Sequence, residues 1–184
     1  MLARVEDSVL VVVDVQPSVL ELVWEKERVV ERCKFMIECA KLLEIPVIIT
    51  EQNPSKLGMT DPKLSSLVED RRATIQKMTF SAWGEREFVK AIEHHKRAQA
   101  VIVGIETHIC INQTAHDLMD EEIDSIVCAD AVSARTQEMH ELGLKRMSDE
   151  GTAIAHTESV VYEWLQSADH PAFRDVLKLV KGQA

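Results

Sequence analysis

Three side chains far apart in the chain have types that could do covalent chemistry together: a carboxylate at Asp14, an ammonium at Lys77 and a thiol at Cys110. A thiol acts as a nucleophile when a base takes its proton and a cation steadies the charge left behind. Cys110 lies in the stretch 99–114, QAVIVGIETHICINQT. The apolar run there, Ala100–Val103, reads as a buried strand that breaks at Gly104. Cys110 then falls in the first turn of the helix that follows, where the positive end of the helix dipole favours thiolate over thiol. Taken singly, each residue has a plainer use: a cysteine packs, an aspartate closes a turn, a lysine is solvated. Their chemistry depends on whether the fold brings them together.

The elements that must position them follow from hydrophobic period. Ser8–Val13 is a continuous β-branched run ending at Asp14, the form of a strand covered on both faces. Helical spacing runs through 27–44 and stops at Pro46, and Val47–Thr50 is a second strand. The segment 51–62 reads as a polar loop, with a short helix at about 61–68, and Ala73–Lys77 as a weak third strand. A helix at about 85–95, the strand Ala100–Ile105 and a helix at about 108–119 come next. Ser125–Ala129, ending at Asp130, is a fifth strand and 152–156 a sixth, with helices at about 137–149, 158–165 and from Pro171 onward.

Strands alternating with helices imply one domain over 1–184, an α/β fold with a doubly wound, six-stranded parallel sheet in the order 3-2-1-4-5-6. Ligands of such sheets bind at the carboxyl edge, at the switch point between strands 1 and 4. Asp14 closes strand 1 and Cys110 follows strand 4, one strand spacing apart. Lys77 closes strand 3, two spacings or about 10 Å from strand 1, a gap its flexible stem can lean across.

Composition narrows the function. A net charge of −10 argues against nucleic acid and anionic membranes, which need a basic face. The pairs Arg71–Arg72 and Lys96–Arg97 read as solvated surface. The N-terminal apolar run, Val9–Val13, is too short for a signal or a membrane span, so a cytoplasmic protein is expected. Cys33, Cys39 and Cys128 fall in helix or strand cores, and no CxxC or zinc-like spacing occurs. No GxGxxG or GxxxxGK[ST] is present, which ranks nucleotide binding last.

Val13-Asp14-Val15-Gln16, Lys77 followed by Phe80-Ser81-Ala82, and Gly104-Ile105-Glu106-Thr107-His108-Ile109-Cys110 together resemble the isochorismatase-like cysteine hydrolases. Thr50-Glu51-Gln52 with Leu57-Gly58, and the stretches Val127–Arg135 and His170–Lys181, are similar to its isochorismatase domain-containing subgroup. The resemblance implies Asp14, Lys77 and Cys110 as catalytic residues, and a cis peptide at Ile105–Glu106. That bond would aim the backbone N–H of Glu106, with that of Cys110, at an oxyanion. It implies cleavage of a small amide, carbamoyl or ester carbonyl through a thioester, without cofactor, in a homo-oligomer. The metal motif of nicotinamidases is missing: no histidine precedes His94, and Thr50-Glu51-Gln52-Asn53 stands in its place. Siderophore-type isochorismatases lack the cysteine that this chain has. Gln16, Phe80, Trp83 and Ile105 are the expected pocket walls, His108 a lesser candidate. A catalytically silent binding or scaffold protein is the alternative.

Overall fold

The computed structural model describes residues 1–68, 70 and 73–182. The arginine pair 71–72, expected at the surface, lies outside the described residues. Strand β1 (Ser8–Val13) leads into one helical turn, α1 (Pro17–Leu20), and the long α2 (Lys26–Leu42). Then come β2 (Val47–Gln52), the short α3 (Pro54–Leu57) and α4 (Pro62–Ser65), β3 (Thr74–Lys77) and α5 (Arg86–His95). The second half runs β4 (Gln99–Ile105), α6 (Asn112–Asp120), β5 (Asp124–Ser133), α7 (Gln137–Asp149), β6 (Ala153–Ala155), α8 (Thr157–Leu165) and α9 (Phe173–Lys181). The six strands form one parallel sheet in the expected order, β3-β2-β1-β4-β5-β6.

Period-2 alternation splits β1 between two cores. Leu10 and Val12 face α2 and α8, packing with Val29, Cys33, Ile37, Val161 and Trp164. Val9, Val11 and Val13 face α5 and α6, packing with Phe88, Ile92, Ala115 and Leu118. Cys33, Cys39 and Cys128 sit fully buried in the first of these cores, as expected.

Two strands outrun their apolar patterns, each because a charged residue finds partners. β2 continues to Gln52 because Glu51, although buried, accepts from the backbone N–H and the hydroxyl of Thr60 at 2.7 and 2.8 Å. β5 continues past Asp130, whose carboxylate accepts from the N–H and hydroxyl of Thr157 at 2.8 and 2.5 Å and faces Arg32 at 3.4 Å. A bulge absorbs the extra length: the partner of β4 shifts from Ile102↔Val127 to Gly104↔Val132. The last helix starts at Phe173, two residues after Pro171, which stays in the preceding turn.

Gly104 decides how closely the two central strands approach at the carboxyl edge. It pairs with Val13, has φ +130°, and a Cβ there would lie 2.2 Å from the Val13 carbonyl oxygen. Backbone on both sides leaves nothing free to move aside. Gly58, at φ +82°, has open space around it. Gly104→Ala is therefore expected to cost more than the ~1–3 kcal/mol that backbone strain alone imposes, whereas Gly58→Ala stays within that range. Urea denaturation of the two variants compares them directly.

Candidate active site

Asp14 leaves β1 in the left-handed region, φ 56°, with its N–H donating to the Thr50 carbonyl at 3.1 Å. Aspartate tolerates that conformation better than most side chains. Its carboxylate is buried and held from two sides. Thr50 Oγ1 donates to Oδ1 at 2.6 Å, and Lys77 Nζ meets Oδ2 at 2.7 Å. Lys77 is only 2% exposed, so its stem does cross β2 to reach the carboxylate. Its ammonium also donates to Gln52 Oε1 at 2.7 Å, to the Phe80 carbonyl at 2.9 Å and to the Thr79 carbonyl at 3.2 Å. Every N–H of the lysine has a partner, which is the condition for burying such a charge.

Cys110 sits in a π-turn, 107–111, that runs directly into α6. Single π-turns concentrate at functional sites. The Glu106 carbonyl accepts from the N–H groups of Ile109 at 2.9 Å and Ile111 at 3.3 Å, passing over the N–H of Cys110. α7 presses on this turn through Gly143, where a Cβ would lie 3.1 Å from the His108 Cα. The thiol is 5% exposed and keeps its proton: burial first, then the Asp14 carboxylate, push its pKa up to about 12 against the pull of Lys77. Hydrogen bonding to Asp14 and the charge of Glu106 push the same way. A helix terminus does not outweigh desolvation with two carboxylates nearby.

The Ile105–Glu106 peptide is also corrected. No cis bond occurs among the described residues, and the chain turns instead through Glu106 in the left-handed region, φ 61°. The expected pocket walls separate. Gln16 is fully buried, its amide nitrogen donating to the carbonyls of Gln52 and Gly58 and its oxygen accepting from the Gln52 N–H. Ile105 is fully buried in the core beside α2. Neither presents surface to a ligand. Trp83 packs edge-on against Phe88, with ring centroids 6.4 Å apart. Phe80 stands at the rim, exposed, while its carbonyl holds Lys77. His108 points at Glu106, with Nδ1 3.7 Å from Oε2.

Thr50 and Gln52 are members of the site that residue chemistry did not single out. Both stand in the Thr50-Glu51-Gln52 string, whose only signal was its likeness to the subgroup. Among the described residues, no group of three or more His, Cys, Asp and Glu side chains converges to hold a metal ion.

The raised thiol has a measurable sign. Alkylation of Cys110 by iodoacetamide is expected to keep climbing about tenfold per pH unit beyond pH 9, where an unperturbed thiol levels off. Asp14→Asn removes two upward influences and should move the profile to lower pH; Lys77→Met removes the downward one and should move it higher. Peptide mapping by mass spectrometry reads the rate at this cysteine, and a plateau near pH 9 would contradict the burial argument.

The family model of the isochorismatase domain matches residues 8–159. The secreted isochorismatase effector Isc1 of Phytophthora sojae is 35% identical over 182 residues, covering 95% of this chain and 84% of that protein. Isochorismatase domain-containing protein 2 of Xenopus laevis is 34% identical over 175 residues, covering 94% and 83%. The solved structure of the MAR1 ribonuclease of Caenorhabditis elegans superposes with a TM-score of 0.92 at 28% identity, covering 98% of this chain and 93% of that one. With sheet order, sequence and structural likeness in agreement over nearly its whole length, the chain belongs to the isochorismatase family, and within it to the isochorismatase domain-containing subgroup.

Proposed function

We propose that this protein is a cysteine-dependent hydrolase of small amide, carbamoyl or ester carbonyls, with Asp14, Lys77 and Cys110 as its catalytic residues. The observation that carries the reading is the buried Asp14–Lys77 pair, 2.7 Å apart, both of whose charges act on the Cys110 thiol. As the sulfur attacks the carbonyl carbon, the thiol proton passes to Asp14. Lys77 holds that carboxylate in place until then. The carbonyl π electrons move to oxygen, and the backbone N–H of Cys110, in the turn that enters α6, donates to the oxyanion. The Glu106 N–H, whose part depended on a cis bond, is not assigned one. Collapse expels the leaving group with the proton from Asp14 and leaves a thioester. Water, deprotonated by the same carboxylate, attacks the thioester, releases the acid and restores the thiol.

These steps need only groups of the chain and a water, with no cofactor or metal, and take a small molecule as substrate. A ribonuclease reading, taken from the name of the worm relative, would need a basic face for phosphates, and a chain of net charge −10 gives it no support. Four free thiols suit a reducing, cytoplasmic setting. Met59, after α3, and Met78 and Phe80, after β3, are 66, 68 and 56% exposed, large apolar side chains that contact with a second copy would cover in a homo-oligomer. Light scattering is expected to give a mass that is a multiple of the monomer, falling in Met78→Glu/Phe80→Glu.

Hydrolysis is tested with a panel of small primary amides, N-carbamoyl amino acids and methyl esters. Cys110→Ala is expected to abolish turnover of whichever member is cleaved. Asp14→Asn should lose about 10²–10⁴-fold, the usual weight of a general base. Retained hydrolysis in Cys110→Ala would remove the nucleophile from the scheme, and a panel with no turnover at all would favour a binding protein.

A further inference from the structure

Three residues before Cys110, the turn that carries it is tied to α7 by a buried side-chain hydrogen bond. Thr107, the first residue of the π-turn, is completely buried, and its Oγ1 lies 3.0 Å from Nδ1 of His140. His140 is 7% exposed and sits near the start of α7. Its ring lies against the indole of Trp24, with centroids 5.7 Å apart. Trp24 is itself fixed at the end of β5: its N–H donates to the Ala134 carbonyl, and its carbonyl accepts from the Ser133 hydroxyl.

The turn needs such an anchor. The chain enters it through Glu106 at φ 61°, a conformation that persists only where the surroundings enforce it. α7 supplies two contacts: the close approach of Gly143 to the His108 backbone, and the bond between Thr107 and His140. Packing is indifferent to pH; the bond is not. Among the described residues the Thr107 hydroxyl has His140 as its partner and no other, so it donates to a bare Nδ1. The neutral ring then carries its proton on Nε2. A second proton can go only on Nδ1, which turns that acceptor into a donor. The hydroxyl hydrogen is left enclosed with nothing to accept it, and the contact is lost.

The surroundings favour the neutral ring. Burial comes first, then the charge of Arg28 on α2, whose Cζ lies 5.5 Å from the centroid of the Trp24 ring; both lower the pKa of His140. Glu141 beside it on α7, and Glu25 just before α2, pull the other way and do not prevail. From the π-turn, Thr107 brings no charge. Glu106, His108 and Arg135, which flank that turn, face one another. His140 is thus neutral at pH 7 and takes its proton below about pH 6.5, the ordinary histidine value.

We infer that His140 is a positioning residue for the nucleophile: neutral, it holds the turn of Cys110 through Thr107, and protonated, it releases that turn, so that acid switches the site off. This rests on the reading of Cys110 as the nucleophile, but its test needs no known substrate. Methyl methanethiosulfonate is small and reacts with thiolate: the cysteine sulfur attacks the S-methyl sulfur, an S–S bond forms and methanesulfinate leaves. Its rate at Cys110 is read by peptide mapping between about pH 5 and pH 8, on both sides of an ordinary histidine pKa. With the thiol pKa at about 12, the thiolate fraction changes about tenfold per pH unit over this range. Dividing by that factor leaves the reactivity of the thiolate itself.

In wild type this normalised rate is expected to be level above neutrality and to fall about tenfold as His140 is protonated, the effect of one buried hydrogen bond. Thr107→Val, the same shape without the hydroxyl, should sit at the lower level throughout, and Thr107→Ser should restore the step. His140→Asn puts an amide oxygen where Nδ1 stood, accepts the hydroxyl at any pH, and should hold the upper level with no step. A positive charge acting on the thiol alone would raise the normalised rate in acid. Unfolding would open Cys33, Cys39 and Cys128 to the reagent as well. Either result overturns the inference, as does a fall that persists in both Thr107→Val and His140→Asn, and each leaves the nucleophile standing. If Cys110 is unmodified at every pH, the hydrolase reading falls and this inference with it.

Discussion

The buried ion pair between Asp14 and Lys77 is the interaction on which the rest of the carboxyl edge depends. Breaking such a pair costs about 3–5 kcal/mol, because the surviving charge stays buried alone. Replacing both members with well-packed apolar groups is commonly neutral or better, so stability does not account for the pair. Organisation does. The ammonium gathers Asp14 from the end of β1, Gln52 from the end of β2, and the carbonyls of Thr79 and Phe80 from the loop after β3. Gln16 pins the same loops from below through Gln52 and Gly58. Three segments with no other reason to share a geometry are held in one.

Against that fixed frame, β4 delivers Cys110, the proposed nucleophile. Gly104 lets the backbone of β4 approach Val13 more closely than any side chain would allow. Asp14 and Glu106, directly after the two strands, both adopt positive φ. Two strained residues on adjacent strand ends are costly at about 1–3 kcal/mol each, and such strain collects where a fold aims groups at one another. The π-turn completes the aim, with Gly143 of α7 as its backstop.

Much of this was legible in the chain. Val9–Val13 and Ala100–Val103 are unbroken apolar runs, which marks them as the central strands, and the switch point between them puts the strand ends that carry Asp14 and Cys110 side by side. Strand order put Lys77 within reach of Asp14, and the family resemblance singled it out. What stayed hidden depends on burial and backbone detail, which residue types do not carry. Gln16 looks the same in a sequence whether its amide meets substrate or the main chain. Asp130 interrupts an apolar run and reads as a strand end, yet Thr157, 27 residues on, satisfies it and lets β5 continue. The protonation state of Cys110 is the clearest case: helix position pointed to a thiolate, and desolvation reversed the sign.

That direction suits the proposed chemistry, in which Asp14 takes the proton from a thiol. A thiolate stabilised by a helix terminus is present all the time, but it is a weaker nucleophile, because nucleophilicity falls with pKa. A thiol with its pKa near 12 holds its proton until an electrophile arrives. In the proposed scheme Asp14, fixed by Thr50 and Lys77, takes that proton as the carbon–sulfur bond forms. Ionisation and attack then become one event in an enclosed space. An ever-present thiolate would spend itself on oxidants and stray electrophiles, whereas a buried thiol that yields its proton only as it attacks does not.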